Sequence, residues 1–165
     1  MAADQLSVED QLSLVIDVER DSWKGKEGSA IGCSVDNVAF YNSLAKRLHQ
    51  NNSLAIHYLE LNGEVVAANL GIHFGTSLLL WKLGYRDEFK KISPGGLLMQ
   101  SLLQHIDENP RIKRIDLMTN ESWYSNWNMQ WRPFYDLYIY RLSIKSVYLF
   151  TMQTLKSKLK KYLNR

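Results

Sequence analysis

Apolar residues change their spacing several times along this chain, and each change predicts an element. Leu12, Val15, Ile16 and Trp23 share one face at helical spacing, which predicts a helix over 7–23. Ser7-x-x-Asp10 opens it as a capping box, with Asp in place of the usual Glu or Gln. Lys24-Gly25-Lys26-Glu27-Gly28 then reads as a flexible, turn-rich linker. Asp36 is the expected N-cap of a second helix, with Tyr41, Leu44, Ala45 and Leu48 as its buried stripe and Asn51-Asn52-Ser53 as its stop.

Strand patterns follow. Leu54–Leu61 and Glu64–Phe74 flank Asn62-Gly63, a strong two-residue hairpin signal. Gly75-Thr76-Ser77 turns the chain into a third strand, Leu78–Tyr85. Connections this short require antiparallel neighbours. Met99, Leu102, Leu103 and Ile106 then repeat at helical spacing, and Asn109-Pro110 closes that helix. Ile112–Met118 is the next strand; a helix joining two strands favours parallel pairing. Glu121–Trp127 reads as a short helix or an ordered loop, Phe134–Leu142 alternates like a final strand, and Lys145–Leu163 reads as a last helix. The fold class is therefore α/β (α+β): an antiparallel meander, one helical crossover to a parallel strand, and flanking helices. One domain is expected over 1–165, with its core at about 8–142 and a basic helix at about 145–163.

Two places in this pattern carry chemistry. Ser93-Pro94-Gly95-Gly96-Leu97 joins a buried strand to a helix. Free amides and the positive end of the helix dipole converge there, which suits a phosphate or pyrophosphate. The same residues also fit an ordinary strand-to-helix turn with Pro near the helix start. The second place is Glu19, a carboxylate in the middle of the first helix's apolar stripe. It must be paired, hydrogen-bonded or facing a polar cavity.

Composition narrows the class. The chain has 165 residues, 45% hydrophobic and 22% charged, which fits a compact domain with a real core. A formal charge of +3 argues against a dedicated duplex nucleic-acid binder. Cys33 is the single cysteine, so neither an internal disulfide nor a Cys-rich zinc site is expected, and no metal spacing surrounds His57 or His73. No apolar run is long enough for a membrane span, and the first residues lack a signal-peptide pattern. A cytoplasmic setting is the expectation.

The element order is that of the GNAT (N-acetyltransferase) fold, and residue patterns sharpen the match. They are Glu19-Arg20-Asp21-Ser22-Trp23-Lys24, Phe40-Tyr41, Gly84-Tyr85 followed by Ser93-Pro94-Gly95, and Asp116 with Tyr124 and Trp127. With them the chain resembles the acetyltransferase-like domain of bacterial cellulose and polysaccharide synthesis proteins, the CelD/BcsL type, relatives of the Fem-type aminoacyl transferases. The resemblance spans roughly 8–142. Arg86 stands where that type often has Asp, and Asn120 and Tyr124-Ser125 stand where it tends to have Gly and a Tyr-Lys pair. Members usually carry a preceding GNAT-like half; a fragment and a single-domain relative are both open.

The resemblance implies an acyl-CoA-dependent N-acyltransferase, with acetyl-CoA or another acyl-CoA as co-substrate. The acceptor would be an amino sugar or other small amine in polysaccharide or envelope metabolism. It implies cofactor contacts from Gly84, Tyr85 and Ser93, Pro94, Gly95, Gly96 and Leu97, with Lys90 and Lys91 as phosphate neutralisers or solvated loop lysines. Acyl transfer needs a base for the amine proton and a donor for the developing oxyanion. Glu19 is the first base candidate or else a salt-bridged structural carboxylate. Asp116 lies at the exit of the parallel strand, as a ligand-side carboxylate or a loop cap. Tyr124 is an acid for the leaving thiolate or one more packed aromatic. Trp23, Lys24 and Trp127 are the expected substrate contacts. A Fem-type transfer from aminoacyl-tRNA and a non-catalytic scaffold in a synthase complex are the rivals. The basic terminal helix reads as solvated, as covering the sheet or docking a partner, or as touching an anionic membrane surface.

Overall fold

The computed structural model describes residues 6–108, 110–119, 127–130, 132–133, 135 and 137–163, with side chains as far as Lys156. They group into two compact units that part between residues 122 and 123.

Helix α1 (Val8–Arg20) starts where the capping box places it: the Ser7 side chain accepts from the Asp10 amide. It stops three residues short of the expected end. Trp23 is therefore not on its apolar face; it opens a separate turn, α2 (Trp23–Lys26), and is largely exposed. The expected flexible linker is this turn, capped by Ser22 and folded tightly enough that a Cβ on Gly25 would lie 1.7 Å from the Arg20 carbonyl oxygen. Helix α3 (Val35–Gln50) is capped by Ser34, whose side chain accepts from the Asn37 amide, and not by Asp36, which sits inside the first turn. The longer side of the chain at Asp36 lost to the residue whose backbone is extended, as an N-cap requires.

Strands β1 (Leu54–Leu61), β2 (Glu64–Phe74) and β3 (Ser77–Tyr85) form the antiparallel meander. The Asn62-Gly63 hairpin has both residues at positive φ, as a primed turn needs. Helix α4 (Pro94–Asp107) crosses over to β4 (Arg114–Leu117), which pairs parallel to β3 and completes the order β1-β2-β3-β4. The helices lie on both faces of the sheet. Gly84 faces α1, since a Cβ there would lie 3.2 Å from the Glu19 Cα; its neighbours Leu83 and Tyr85 face Gly95 of α4. Leu12, Val15, Ile16 and Val18 of α1 join Tyr41, Ala45, Ala68 and Leu70 in the core.

In the second unit, α5 (Ile144–Leu163) is the expected last helix. The expected strand at 134–142 is absent: the described residues of that span form no strand, and Leu137, Tyr138 and Ile139 are exposed. Alternation sorts side chains between two faces, but a strand also needs a neighbour to take its backbone hydrogen bonds. The span Glu121–Trp127 lies outside the described residues except for Trp127.

Two stability predictions follow from these contacts. Gly25→Ala should lower unfolding free energy by about 2–4 kcal/mol in urea, because the new Cβ meets backbone and not a movable side chain. His57 on β1 is held at a pKa of about 4, mainly by burial. Below its unfolded value of 6.5 the unfolded chain binds a proton that the folded chain refuses. Stability should therefore fall as pH drops from 6.5 toward 4, by roughly 2 kcal/mol at pH 5 relative to pH 7. His57→Gln should flatten that dependence in the same titration.

Candidate active site

The site begins with a strand that outlasts its neighbour. Pairing between β3 and β4 covers only Ser77–Leu80 against Arg114–Leu117, with one more bond from the Met118 amide to the Leu80 oxygen at 3.3 Å. Beyond Leu80, β3 runs on to Tyr85 paired with β2 alone, and no strand lies on its other side among the described residues. A bulge falls at the same point: Leu70 pairs with Lys82 and Gly71 with Leu80, so Trp81 is the extra residue. The Arg86 amide donates to the Val66 oxygen at 2.9 Å. Strand alternation then turns the backbone groups of Leu83 and Tyr85 away from β2, toward the open edge.

One of those groups is already used. Lys24 Nζ donates to the Leu83 oxygen at 2.8 Å and to Glu19 Oε1 at 3.1 Å. The Ile31 amide donates to Glu19 Oε2 at 2.8 Å. Glu19 is 1% exposed, so its negative charge is buried with one ammonium and one amide as partners. That charge also adds to burial in raising the pKa of Tyr41. An ammonium has three N–H donors, and the third on Lys24 has no partner among the described residues.

A second set of contacts fixes the same corner. Arg86 pairs with Asp21 at the end of α1, donates from Nε to the Val65 oxygen at 2.9 Å and lies 3.4 Å from Glu64. Lys26 pairs with Asp87, and the Asp87 amide donates to the Asp21 oxygen at 3.2 Å. Arg86 in place of the resembled type's Asp thus clamps the end of β3 to α1 and β2.

The chain then runs through a 3-10 turn, Asp87–Ile92, on which Lys90 and Lys91 are exposed. It enters α4 by placing Ser93 in the left-handed region, at φ 53° and ψ 55°. Pro94 has no amide, and the Ser93 oxygen takes the Leu97 amide at 3.0 Å. The Gly95 and Gly96 amides have no hydrogen-bond partner among the described residues, and Ser93 gives no side-chain cap. Tyr85 walls this turn: its ring would lie 3.4 Å from a Cβ on Gly95. Two free amides at a helix N-terminus, bare of Cβ atoms, are donors of the kind that can bind a phosphate or diphosphate.

The structure thus brings Glu19, Lys24, Gly84 and Tyr85 to one corner of the sheet, with Ser93–Leu97 opening the next helix against Leu83 and Tyr85. Asp116 stands on β4 in register with Leu79 and pairs with Arg114 at 2.8 Å. Trp23 opens α2, and Trp127 belongs to the second unit. Tyr124 lies outside the described residues. Ile31, Leu83 and the pairing of Asp21 with Arg86 escaped the sequence reading, which named the last two only in connection with the resemblance. The first two act through backbone groups, which leave no residue-type signal; the Asp21–Arg86 pair joins positions far apart in the chain.

Comparisons with known proteins give the family and the fold. The family described as an acetyltransferase (GNAT) domain matches residues 3–126. No curated protein sequence matches the chain. Among solved structures, a possible acetyltransferase from Clostridium difficile 630 is 15% identical with a TM-score of 0.60, covering 84% of this chain and 95% of that one. An aminoglycoside acetyltransferase from an uncultured soil metagenomic sample, in complex with sisomicin, is 12% identical with a TM-score of 0.58 over 82% of this chain and 93% of its own. The PaiA N-acetyltransferase from Thermoplasma acidophilum, in complex with coenzyme A, is 16% identical with a TM-score of 0.50 over 75% of this chain and 84% of its own. At these identities the likeness is one of fold. The family match over most of the first unit, together with that fold, places this chain in the GNAT acetyltransferase family, enzymes that take their acyl group from acetyl-CoA.

Proposed function

We propose that the first unit transfers an acetyl group from acetyl-CoA to a primary amine on a small molecule, with amino sugars as the acceptor class to test first. The observation that carries this reading is the open edge of β3 ending at the two free amides of α4. The amino-sugar part rests on the resemblance to the CelD/BcsL type.

In this reading the Gly95 and Gly96 amides hold the pyrophosphate, and the pantetheine arm runs along the β3 edge at Leu83 and Tyr85, where Lys24 already occupies the Leu83 carbonyl. The amine nitrogen bonds to the thioester carbonyl carbon, the C–S bond breaks, and the carbonyl oxygen carries negative charge on the way. The third N–H of Lys24 is the donor for that oxygen. Glu19 holds Lys24 in place; each of its oxygens already accepts one hydrogen bond. Glu19 and Asp116 are then the two carboxylates for the acceptor's proton, and that proton passes on to the departing thiolate, which leaves the amide, the free thiol and a regenerated carboxylate. One observation favours the scaffold reading instead: Lys24 already fills the Leu83 carbonyl that a pantetheine amide would use.

Binding separates the two readings. Calorimetry with acetyl-CoA and with free CoA should show saturable binding of both. Gly96→Asp puts a carboxylate in the first turn of α4, which favours the helix by about 0.3–1 kcal/mol but repels a diphosphate. That variant should fold with unchanged or higher melting temperature and bind CoA at least about tenfold more weakly. Equal affinity in the variant would remove the pyrophosphate role of these amides, and no binding by the wild type would leave the scaffold.

Turnover then tests the Lys24 corner. Lys24→Met should lower kcat by about 10²–10³, as loss of an oxyanion donor does, and should also lower the melting temperature, because it leaves the buried Glu19 charge without its ammonium. Glu19→Gln distinguishes its two roles by pH. If Glu19 positions Lys24, kcat falls and the pH–rate profile keeps its shape; if Glu19 is the base, the acidic limb of the profile disappears.

A further inference from the structure

The second unit has a charge and a surface that the transferase reading does not use. All 17 acidic residues of the chain lie at or before Asp136, together with thirteen of the 20 basic ones. Residues 137–165 carry the other seven, Arg141, Lys145, Lys156, Lys158, Lys160, Lys161 and Arg165, and no acid at all. The chain's modest net charge of +3 therefore conceals a body of net negative charge and a tail of strong positive charge.

The same segment holds a helix with an apolar side. Helix α5 spans 20 residues, about 30 Å, and begins at Ser143, whose side chain accepts from the Ser146 amide at 3.2 Å. Ile144, Val147, Tyr148 and Leu155 follow each other at helical spacing on one side. They are exposed, Ile144 at 93%, as are Leu137, Ile139 and Leu142 just before the helix. Tyr140 folds back onto the helix, its ring edge-on to Phe150 at 5.8 Å and its hydroxyl donating to Gln153. No described helix is long and apolar enough to cross a membrane.

We propose that this unit is a membrane-surface anchor that docks on anionic lipid, with α5 lying in the plane of the headgroups. The apolar side and the aromatic rings enter the boundary of headgroup and acyl chain, and the lysines meet lipid phosphates. A nucleic acid would also draw the charge, but it offers no apolar phase for Ile144, Val147 and Leu155. A second copy would offer apolar surface, but it would bring seven more positive charges against these seven. Anionic lipid answers both features at once. The proposal is independent of the acetyl-transfer reading, since no residue of the first unit enters it.

The test is sedimentation of the full chain with vesicles. Phosphatidylcholine vesicles containing a quarter phosphatidylglycerol should bind at least about tenfold more protein than pure phosphatidylcholine vesicles, and high salt should remove most of that difference. The triple variant Lys156→Glu, Lys158→Glu and Lys160→Glu should lose binding to the anionic vesicles by a similar factor while CoA binding stays as in the wild type. Equal binding to neutral and anionic vesicles overturns the proposal, as does no binding to either. So does tighter binding to a DNA duplex at the same salt, or a stable dimer in light scattering that vesicles fail to dissociate. The lipid and salt arms need no variant, so they decide the matter even if the triple variant does not fold.

Discussion

A buried carboxylate organises the corner where this enzyme's chemistry is expected. Glu19 cannot be left with an uncompensated charge in the interior of the first unit, because such a charge costs several kcal/mol. Its two partners come from opposite directions: the Lys24 ammonium from α2 and the Ile31 amide from the 3-10 turn before α3. Satisfying it therefore requires the chain to turn sharply after Arg20, and that turn needs Gly25. It also requires Lys24 to lie against the edge of β3, where its ammonium finds the Leu83 carbonyl. One ion pair thus fixes the end of α1, the course of the chain to α3 and the electrostatics of the open strand edge. Gly84, with no side chain, lets β3 approach the helix closely enough for this to happen.

The open edge has its own cause. Four residues of β4 cannot cover nine of β3, and the bulge at Trp81 changes which backbone groups face outward just where the pairing stops. A longer β4 would have closed the edge and left only a sheet. The following turn then sets Ser93 in a strained left-handed conformation, a cost of about 1 kcal/mol or more for a residue with a side chain. That conformation delivers the chain into α4 with two amides unspent. Among the described residues Asn52, Asn62 and Asn128 share that positive φ, but at Ser93 it opens a helix whose next two amides are free.

The meander and crossover were legible from the sequence because period, turn residues and element length agree there. The Asn62-Gly63 hairpin, the Tyr85 end of β3 and the Pro94 start of α4 follow from local rules, and β3 begins one residue before the expected Leu78. Glu19 also announced itself, as a charge on an apolar stripe. The failures share a different cause. Trp23 continues the helical pattern, but the helix ends early because Ser22 and Gly25 start a new turn. Asp36 has the right side chain for an N-cap, but the extended backbone lies at Ser34. At 134–142 the alternation is present and the described residues form no strand. In each case the deciding factor is a backbone conformation or a neighbour far along the chain, and residue pattern does not report either.

The partner of the buried charge was the hardest to read and matters most for mechanism. Sequence placed Lys24 near Glu19 but gave no reason to bring either to β3. What brings them is Arg86, which binds Asp21, the Val65 carbonyl and Glu64 together, and so presses the end of α1 onto the last residues of the strand. An aspartate at that position could not make those contacts, since a carboxylate offers no donors to a carbonyl and repels Asp21 and Glu64. In a relative with Asp there, the same corner must be held some other way, and the distance from its lysine to the strand edge becomes a variable. Arg86 thus ties α1 and β2 to the end of β3, next to the strand edge where Lys24 meets the Leu83 carbonyl, without itself contacting either group.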